Sequence, residues 1–326
     1  MIRLVGRELG VIGEGEHRSG WPYVLRCLEP LLSADGILLD DFIEASFGYR
    51  PVPVPHREPW VGVFHQPHDA PEFLQTGNQS LNQILENPLF KASLPHMKLG
   101  ITLSSPLGAW LQQTLGVPFV TLLHPTETRV VEFSETAFLA NRKRRVIQVG
   151  WYLRNTAAIY QLEVTDVYTK TCLRPEAWWV QDYMNRILNL WRSYNWISRW
   201  EHNKTGRRPC GRVENAARVP NDVYDRLLSE NVVFVEFFST AANNAVVECI
   251  VRNTPLVVNR LPALEEYLGK DYPLFFDSIE EAGRLFAVDS ILAGHEYLKG
   301  LDKRPFTGGY FRAQLAAALK GRGLGG

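Results

Sequence analysis

The stretch that most constrains the fold lies between residues 232 and 259. It opens with an almost continuous apolar run at 232–238, which is typical of a strand buried on both faces of a parallel sheet. A polar turn follows at 239–244, and residues 245–252 then carry apolar side chains at helical spacing. Thr254-Pro255 ends this helix, and another apolar run begins at Leu256. Strand, turn, helix and strand form a βαβ unit, so we expect a parallel sheet.

The polar turn 239–244 lies where a parallel sheet presents its ligands. Ligands of such sheets bind at the carboxyl ends of strands, where the N-termini of helices attract anions. Asn243 or Asn244 is a suitable N-cap for the next helix, and Asn253 suits a left-handed position at its end. We therefore expect this turn, including Thr240, to contact a ligand.

The first part of the chain alternates strand and helix patterns. Strands are predicted at 37–39, 60–64, 99–103 and 119–123, with helices between them. This alternation predicts one doubly wound domain. A basic stretch at 141–145 precedes a new strand at 146–149 and a helix that runs to about Leu162, so we place a domain boundary near residue 140. The length of 326 residues is sufficient for two such domains.

Two loops of the first domain carry candidate catalytic side chains. His65 and Asp69 follow the predicted strand 60–64 and so lie at its carboxyl end. His17 lies in a glycine-rich turn, in which Arg18 stands where a dinucleotide-binding fingerprint needs its third glycine, so an NAD enzyme is disfavoured. For the loop that carries His65 and Asp69, the alternative is a polar loop that caps backbone groups. For the glycine-rich turn, the alternative is a simple tight βα turn.

Composition excludes several classes of protein. The net charge is zero, which gives no electrostatic reason to expect nucleic-acid binding. No apolar run reaches the ~20 residues of a transmembrane helix, and the first residues lack the apolar segment of a signal peptide. The four cysteines include no Cys-x-x-Cys, which predicts reduced thiols. We therefore expect a cytoplasmic protein.

A predicted helix at 176–200 is unusually rich in tryptophan. An aromatic stripe on a helix is more often part of a core than of a binding platform, so we expect a core role and keep the platform as the alternative. The tryptophans are Trp178, Trp179, Trp191, Trp196 and Trp200.

The second half of the chain resembles a known family. Two doubly wound domains suggest the GT-B architecture, and the segments 222–228, 231–234, 244–248 and 253–257 resemble the donor half of group 1 GT-B glycosyltransferases. In that family a helix, a buried strand, a polar turn and a glutamate-bearing helix precede a Gly-Thr-Pro-Val step into the next strand. The resemblance covers residues 144–285 well and the N-terminal half in outline.

The resemblance implies a set of donor-binding residues. Glu248 falls on the second glutamate of the family's Glu-x7-Glu motif, which holds the donor ribose, whereas Thr240 replaces the first glutamate, which faces the transferred sugar. Gly150 and Arg154 fall where the family places a small residue and a cation against the diphosphate. Two alternatives stay open: a surface ion pair between Glu248 and Arg252, and an ordinary exposed side chain at Arg154.

The resemblance also implies the α/β fold and the domain roles. Two Rossmann-like domains would face each other across a cleft, with residues 1–140 on the acceptor side and 141–304 binding the nucleotide-sugar donor. Residues 305–326 would form a C-terminal helix and tail that packs back on the first domain. The catalytic base would be His65, His17 or Asp69 from the first domain.

The implied activity is transfer of a sugar from a nucleotide-sugar to a saccharide or other hydroxyl acceptor, in the synthesis of a glycan or cell-surface polysaccharide. No Asp-x-Asp occurs in the sequence, so we expect no metal and no cofactor beyond the donor substrate. The expected acceptor is a glycan or glycolipid, with peripheral membrane contact as a further expectation. The alternatives are a catalytically inactive nucleotide- or sugar-binding partner subunit, favoured by the missing first glutamate, and a GT-B-like nucleotide-sugar epimerase.

Overall fold

The computed structural model describes residues 1–5, 19–49, 54–74, 80–174, 176–202, 212–217 and 219–324. Within these residues the chain forms two parallel sheets, each with helices on both faces. His17 and most of the glycine-rich turn lie outside the described residues, as do the side chains of Trp196 and Trp200.

The described part of the first sheet has five parallel strands, which lie side by side in chain order. The central strand, Trp60–Phe64, is buried along its whole length because both faces of the sheet are covered. The strands are β1 (Ile2–Leu4), β2 (Ile37–Asp40), β3 (Trp60–Phe64), β4 (Met97–Thr102) and β5 (Phe119–Thr121).

Four helices of the first half cover this sheet. Helix α1 packs on one face, through Val24, Leu25 and Leu28, whereas α2, α3 and α4 pack on the other. Ser80 and Gln83 form a capping box at the start of α2. These helices are α1 (Trp21–Leu28), α2 (Leu81–Glu86), α3 (Pro88–Ser93) and α4 (Ser105–Leu115), and a π-helical turn occupies Ala45–Tyr49.

The second sheet has six parallel strands among the described residues, in the order β11-β10-β9-β6-β7-β8. From β6 the chain moves outward in one direction through β7 and β8, and from β9 it moves outward in the other. The carboxyl ends of β6 and β9 therefore border the point at which the strand order reverses, where doubly wound sheets bind ligands. The strands are β6 (Arg144–Val149), β7 (Tyr168–Leu173), β8 (Val213–Ala216), β9 (Val232–Val235), β10 (Leu256–Asn259) and β11 (Phe275–Phe276).

The βαβ unit predicted at residues 232–259 folds as expected. Asn243 caps the helix between β9 and β10, and Asn253 ends it in a left-handed conformation with φ of 58°. The helix predicted after β6 is much shorter than expected, because its chain is first held in a turn against β9. The helices of this half are α5 (Glu135–Ala140), α6 (Ala158–Gln161), α7 (Trp178–His202), α8 (Asn221–Ser229), α9 (Asn244–Arg252), α10 (Pro262–Leu268), α11 (Ile279–Arg284), α12 (Val288–Gly300) and α13 (Gly308–Lys320).

The end of the chain returns to the first sheet. Phe311, Leu315 and Leu319 of α13 are buried in the same cluster as the apolar face of α1. The two segments that pass between the halves touch each other, since the backbone N–H of Thr126 donates to the carbonyl oxygen of Phe306 at 2.9 Å. The two halves are thus connected by two adjacent chain segments and by α13.

The tryptophan-rich helix α7 corrects the prediction of a core stripe at its N-terminus, whereas Trp191 is partly buried against the core. Its buried face consists of Val180, Tyr183 and Met184, together with the buried residues one helical turn further along. This face packs against β7. Trp178 and Trp179, at its N-terminus, are exposed. Helical periodicity places these two side chains off the buried face, which their residue type alone could not indicate.

Candidate active site

The turns that follow β6 and β9 are hydrogen-bonded to each other. The backbone N–H of Phe238 donates to the carbonyl oxygen of Leu153 at 2.9 Å, and that of Asn155 donates to Glu236 at 2.8 Å. Leu153 has a left-handed backbone with φ of 57°, which is unusual for a non-glycine residue. Its N–H donates to the hydroxyl oxygen of Tyr183 at 3.0 Å. These bonds fix the turn at the point where the strand order reverses.

Gly150 allows the side chain of Arg154 to fold back over this turn. Gly150 has φ of +79°, and a Cβ atom there would lie 2.5 Å from Cζ of Arg154. The backbone conformation therefore favours glycine, and a Cβ atom there would displace the guanidinium of Arg154. The small residue and the cation that the sequence predicted are thus one structural unit.

Arg154 is buried rather than exposed. Only 8% of the residue is accessible. Its Nη2 donates to Oδ1 of Asn243 at 2.9 Å and its Nη1 to the carbonyl oxygen of Tyr152 at 3.1 Å, whereas Nε is buried with no partner among the described residues. Burial lowers the pKa of Arg154 to about 10, so the guanidinium stays charged at neutral pH. The alternative of an ordinary exposed arginine is therefore wrong.

The N-terminus of α9 adds positive potential beside Arg154. Oδ1 of Asn243 accepts hydrogen bonds from the N–H of Ala245 at 3.0 Å and from Arg154. Thr240 donates its hydroxyl to the carbonyl oxygen of Ala242 at 3.1 Å, which shapes the turn before the helix. A helix N-terminus and a buried guanidinium together favour an anionic ligand.

A cavity of about 210 Å³ lies at this position. It brings together five residues that the sequence predicted for the site: Arg154, Thr240, Asn243 and Asn244 from the second half of the molecule and His65 from the first. The lining consists of His65, Pro67, Tyr152, Leu153, Arg154, Thr240, Ala241, Ala242, Asn243 and Asn244.

His65 is a neutral hydrogen-bonding group in this cavity. Its Nε2 lies 3.0 Å from the carbonyl oxygen of Asp41, which can only accept, so Nε2 carries the proton and Nδ1 is left as an acceptor. The rings of Trp21 and Phe42 pack edge to face against it, at 4.3 and 4.5 Å between centroids. Burial lowers the pKa of His65 to about 3. Such an imidazole is a weak base at neutral pH but a good acceptor for a hydroxyl group.

Glu44, which sequence reasoning missed, holds the backbone at His65. Its Oε1 accepts the backbone N–H of His65 at 2.7 Å and that of Gln66 at 2.8 Å, and its Oε2 is buried with no partner among the described residues. Burial, with a smaller contribution from Asp40, raises the pKa of Glu44 to about 7. Its place just after the carboxyl end of β2 was the signal that could have identified it.

Asp69 and Glu248 both form contacts between the halves. The hydroxyl of Ser239 donates to Oδ1 of Asp69, beside the cavity. Glu248 is buried, and it accepts hydrogen bonds from the hydroxyl of Ser19 and, at 2.8 Å, from Tyr224. Glu248 does not border the cavity that Arg154 and His65 share.

The alternative of a surface ion pair between Glu248 and Arg252 is wrong. Arg252 is completely buried and binds Oδ1 of Asp225 at 2.7 Å through Nη2. Its Nη1 donates to the carbonyl oxygen of Val131 at 3.0 Å. Charges at this helical spacing can pair on a surface, but both side chains here point into different buried contacts.

A second buried histidine, which the sequence analysis did not propose for the site, joins the same region. Nε2 of His124 donates to the carbonyl oxygen of Ser19 at 2.6 Å, and its backbone N–H donates to the hydroxyl of Tyr267 at 2.9 Å. Tyr267 in turn donates to the carbonyl oxygen of Leu103 at 2.6 Å. Burial lowers the pKa of His124 as well. His124 thus connects α10 of the second half to the start of α1.

Within the described residues, no three His, Cys, Asp or Glu side chains are grouped so that they could hold a metal ion. Among the described helices, none combines the length and the apolar character needed to cross a bilayer.

Comparisons with known proteins place this geometry in a fold family. No protein-family model matches the sequence, and neither does any curated protein. Solved structures do match. Trehalose-phosphate synthase of Burkholderia vietnamiensis superposes with a TM-score of 0.55 at 13% identity, over 92% of this chain and 76% of that chain. Sucrose-phosphate synthase of Thermosynechococcus elongatus gives 0.57 at 13% identity, over 87% and 73%.

A third match is HepE of Anabaena, solved with UDP and glucose. Its TM-score is 0.56 at 13% identity, over 81% of this chain and 72% of that chain. Identities this low establish the fold and not the reaction. The three matches agree with the two parallel sheets and their flanking helices, and the chain therefore has the GT-B fold of glycosyltransferases that the sequence predicted.

Proposed function

We propose that this protein is a glycosyltransferase that moves a sugar from a nucleotide-sugar to a hydroxyl group of an acceptor. The observation that carries the proposal is the cavity at the reversal of strand order. It combines Arg154 and the N-terminus of α9 on one side with His65 from the other half. The structural relatives support it, since the trehalose- and sucrose-phosphate synthases are named for sugar products and HepE was solved with UDP and glucose.

The diphosphate of the donor would bind at Arg154 and α9. In this transfer the bond between the sugar and the terminal phosphate oxygen breaks, and negative charge develops on the departing nucleoside diphosphate. Arg154 and the α9 N-terminus stabilise that charge without a metal ion, and both are preorganised by their hydrogen bonds to Asn243. We therefore propose that the donor is the only cofactor-like group and that no metal is needed.

The sugar would lie between the turn after β9 and His65. Nδ1 of His65 is the acceptor available to a sugar hydroxyl, and Thr240 replaces the glutamate that the family resemblance would place there. Asp69, which is hydrogen-bonded to Ser239 beside this cavity, is the carboxylate that could accept the proton of the acceptor hydroxyl. A saccharide acceptor is our proposal, as is the cytoplasmic location inferred from the sequence.

The test is nucleotide binding in EDTA, by thermal shift, with UDP, GDP, ADP, CDP and dTDP. At a hundred times its Kd, a ligand adds about 2.7 kcal/mol to stability, which raises the Tm by several degrees. Arg154→Ala should weaken binding about ten- to a hundredfold, because a hydrogen bond to a charged group contributes ~1.5–3 kcal/mol. Arg226→Ala, an exposed arginine on α8, is the matched control. A silent panel, or equal binding by both variants, would refute the proposal.

One observation favours a second candidate, a nucleotide-binding subunit without catalytic activity. Thr240 stands in the cavity with its hydroxyl directed to the backbone of Ala242, so it offers the sugar no carboxylate. A protein of this kind would bind one nucleoside diphosphate in the panel but would not release it from the nucleotide-sugar in the presence of saccharides. Measured release of nucleoside diphosphate under those conditions would exclude this candidate.

A further inference from the structure

Three exposed aromatic rings lie close to the candidate active site. Among the described residues, the large aromatic side chains that are exposed are Phe73, Trp178 and Trp179, at 49%, 79% and 51%. Phe73 packs edge to face on Phe238, with 5.4 Å between ring centroids. Trp179 packs in the same way on Trp151 at 5.1 Å. We call the set Phe73, Trp151, Tyr152, Trp178 and Trp179 the aromatic strip.

Trp151 and the buried ring of Tyr183 hold the strip in place. Trp151 contacts the ring of Tyr183 at 5.0 Å and that of Tyr152 at 5.4 Å, in both cases edge to face. Tyr183 is itself buried and accepts the N–H of Leu153, so its ring cannot move without breaking the turn that carries Arg154. Trp179 remains 51% exposed beside Trp151, so part of its ring is open to solvent.

Three rings of the strip form a continuous series that begins at the cavity. Tyr152 lines the cavity and contacts Trp151, which contacts Trp179. Phe73 comes from the first half, where its neighbour Leu74 is buried against α7. A ligand that leaves the cavity on this side therefore meets aromatic rings first.

The charges near the strip argue against a membrane as its partner. Among the described residues of this segment, Glu176 and Asp182 balance Arg174 and Arg186, and Asp182 forms an ion pair with Arg186 at 3.3 Å. An anionic membrane surface is recognised by clusters of basic side chains. The strip combines open ring faces with balanced charge, which suits a neutral ligand with apolar faces and many hydroxyl groups.

We propose that the aromatic strip binds the saccharide acceptor, by stacking its sugar rings on Trp179 and Trp178. The C–H groups on one face of a pyranose ring are complementary to the negative face of an indole. The assignment of an acceptor rests on the proposed function, since it takes the cavity as the donor site. It predicts an acceptor of two or more sugars, because the connected rings of Tyr152, Trp151 and Trp179 extend beyond a single sugar ring.

The experiment measures binding of maltohexaose, cellohexaose and chitohexaose by calorimetry, with UDP binding measured on the same samples. Wild type should bind at least one hexasaccharide. Trp179→Ala should weaken that binding about tenfold, Trp179→Phe should retain part of it, and UDP binding should not change. Leu190→Ala is the matched control, because this leucine of α7 is 50% exposed and outside the strip. Unchanged UDP binding also establishes that the variants are folded.

Three outcomes overturn the proposal. They are no binding of any hexasaccharide by wild type, binding that Trp179→Ala leaves unchanged, and binding to phosphatidylcholine–phosphatidylglycerol vesicles that Trp179→Ala abolishes. The last would assign the strip to a membrane surface. If UDP and the other nucleotides fail to bind while a hexasaccharide still binds through Trp179, the proposed transfer fails but the saccharide site stands. The two failures are therefore distinguishable.

Discussion

Replacing Glu44 by glutamine should change the pH dependence of stability in a defined direction. Glu44 is fully buried, and its charged form is supported by two backbone N–H groups but leaves Oε2 without a partner. Burial raises the pKa of Glu44 from 4.5 to about 7. Because one pKa unit corresponds to about 1.4 kcal/mol, ionising Glu44 above pH 7 costs the folded state about 3 kcal/mol.

The sign follows from proton linkage. Between pH 4.5 and 7 the folded protein keeps a proton on Glu44 that the unfolded chain releases. The stability associated with this group is therefore fully present below pH 4.5 and is lost as the pH rises to about 7. His65 acts in the opposite direction: its lowered pKa means that stability is lost as the pH falls below its ordinary value of 6.5. The difference between Glu44→Gln and wild type isolates the carboxyl group.

Glutamine keeps the acceptor for the N–H groups of His65 and Gln66 and cannot ionise. Its NH₂ group is buried in place of Oε2, which costs about 1–3 kcal/mol at every pH. Urea unfolding at pH 4.5 and pH 8.5 removes that constant cost by subtraction. Relative to wild type, Glu44→Gln should gain about 3 kcal/mol between the two pH values.

The control is Glu86→Gln, a change at an exposed surface carboxylate that should show no such gain. A gain below about 0.5 kcal/mol for Glu44→Gln, which is the size of ordinary surface effects, would refute the reasoning. It would mean that the carboxylate at the end of β2 is solvated rather than buried.

Two further predictions concern the cavity. Gly150→Ala should weaken UDP binding at least tenfold by calorimetry, because its Cβ would displace Arg154, with a contact of 2.5 Å to Cζ. Gly116→Ala is the control, since Gly116 also has a positive φ, of +66°, but nothing lies within 4 Å of its Cβ, and UDP binding should be normal. His65→Ala should lower turnover about two- to tenfold, because a hydrogen bond between neutral groups contributes about 0.5–1.5 kcal/mol, whereas His68→Ala should not. The pKa of about 3 also predicts that the wild-type rate shows no step from His65 between pH 5 and 8, and such a step that vanished in His65→Ala would contradict it.

The sequence correctly predicted those structural elements that depend only on residues close together in the chain. The strand Trp60–Phe64 has the expected bounds, and Asn243 and Asn253 cap α9 as expected. Each of these depends on neighbouring residues: an apolar run, or an asparagine that caps a helix or tolerates left-handed backbone. The strands β7 and β8 were missed. Their segments, such as Tyr-Thr-Lys-Thr-Cys-Leu, mix polar and apolar residues, although β7 lies inside the sheet and is buried at five of its six positions.

The candidate site was predictable at the carboxyl ends of strands and not beyond them. Parallel pairing places Arg154 and Asn243 together, since each follows the end of a buried strand of the second sheet, whereas His65 follows a strand of the first sheet. The contact of Glu248 with Ser19 could not be predicted in this way, because Ser19 lies 229 residues away in the chain. Such contacts depend on how the two halves are placed, and no periodicity within one segment encodes that placement.

The small volume of the cavity predicts that the two halves move apart when a donor binds. About 210 Å³ is less than the roughly 300–1,000 Å³ of a typical small-molecule site, and a nucleotide-sugar is larger than most such ligands. The hydrogen bond from Ser239 to Asp69 closes the cleft beside the cavity. Asp69→Ala removes this hydrogen bond and should therefore raise the population of the open form. If the bond contributes ~1.4 kcal/mol, the association rate constant for UDP should rise about tenfold. Stopped-flow measurement of that constant provides the test, with Asp302→Ala, an exposed aspartate paired within its own loop, as the control. An association rate that is the same for Asp69→Ala and wild type would mean that UDP enters without this contact being broken.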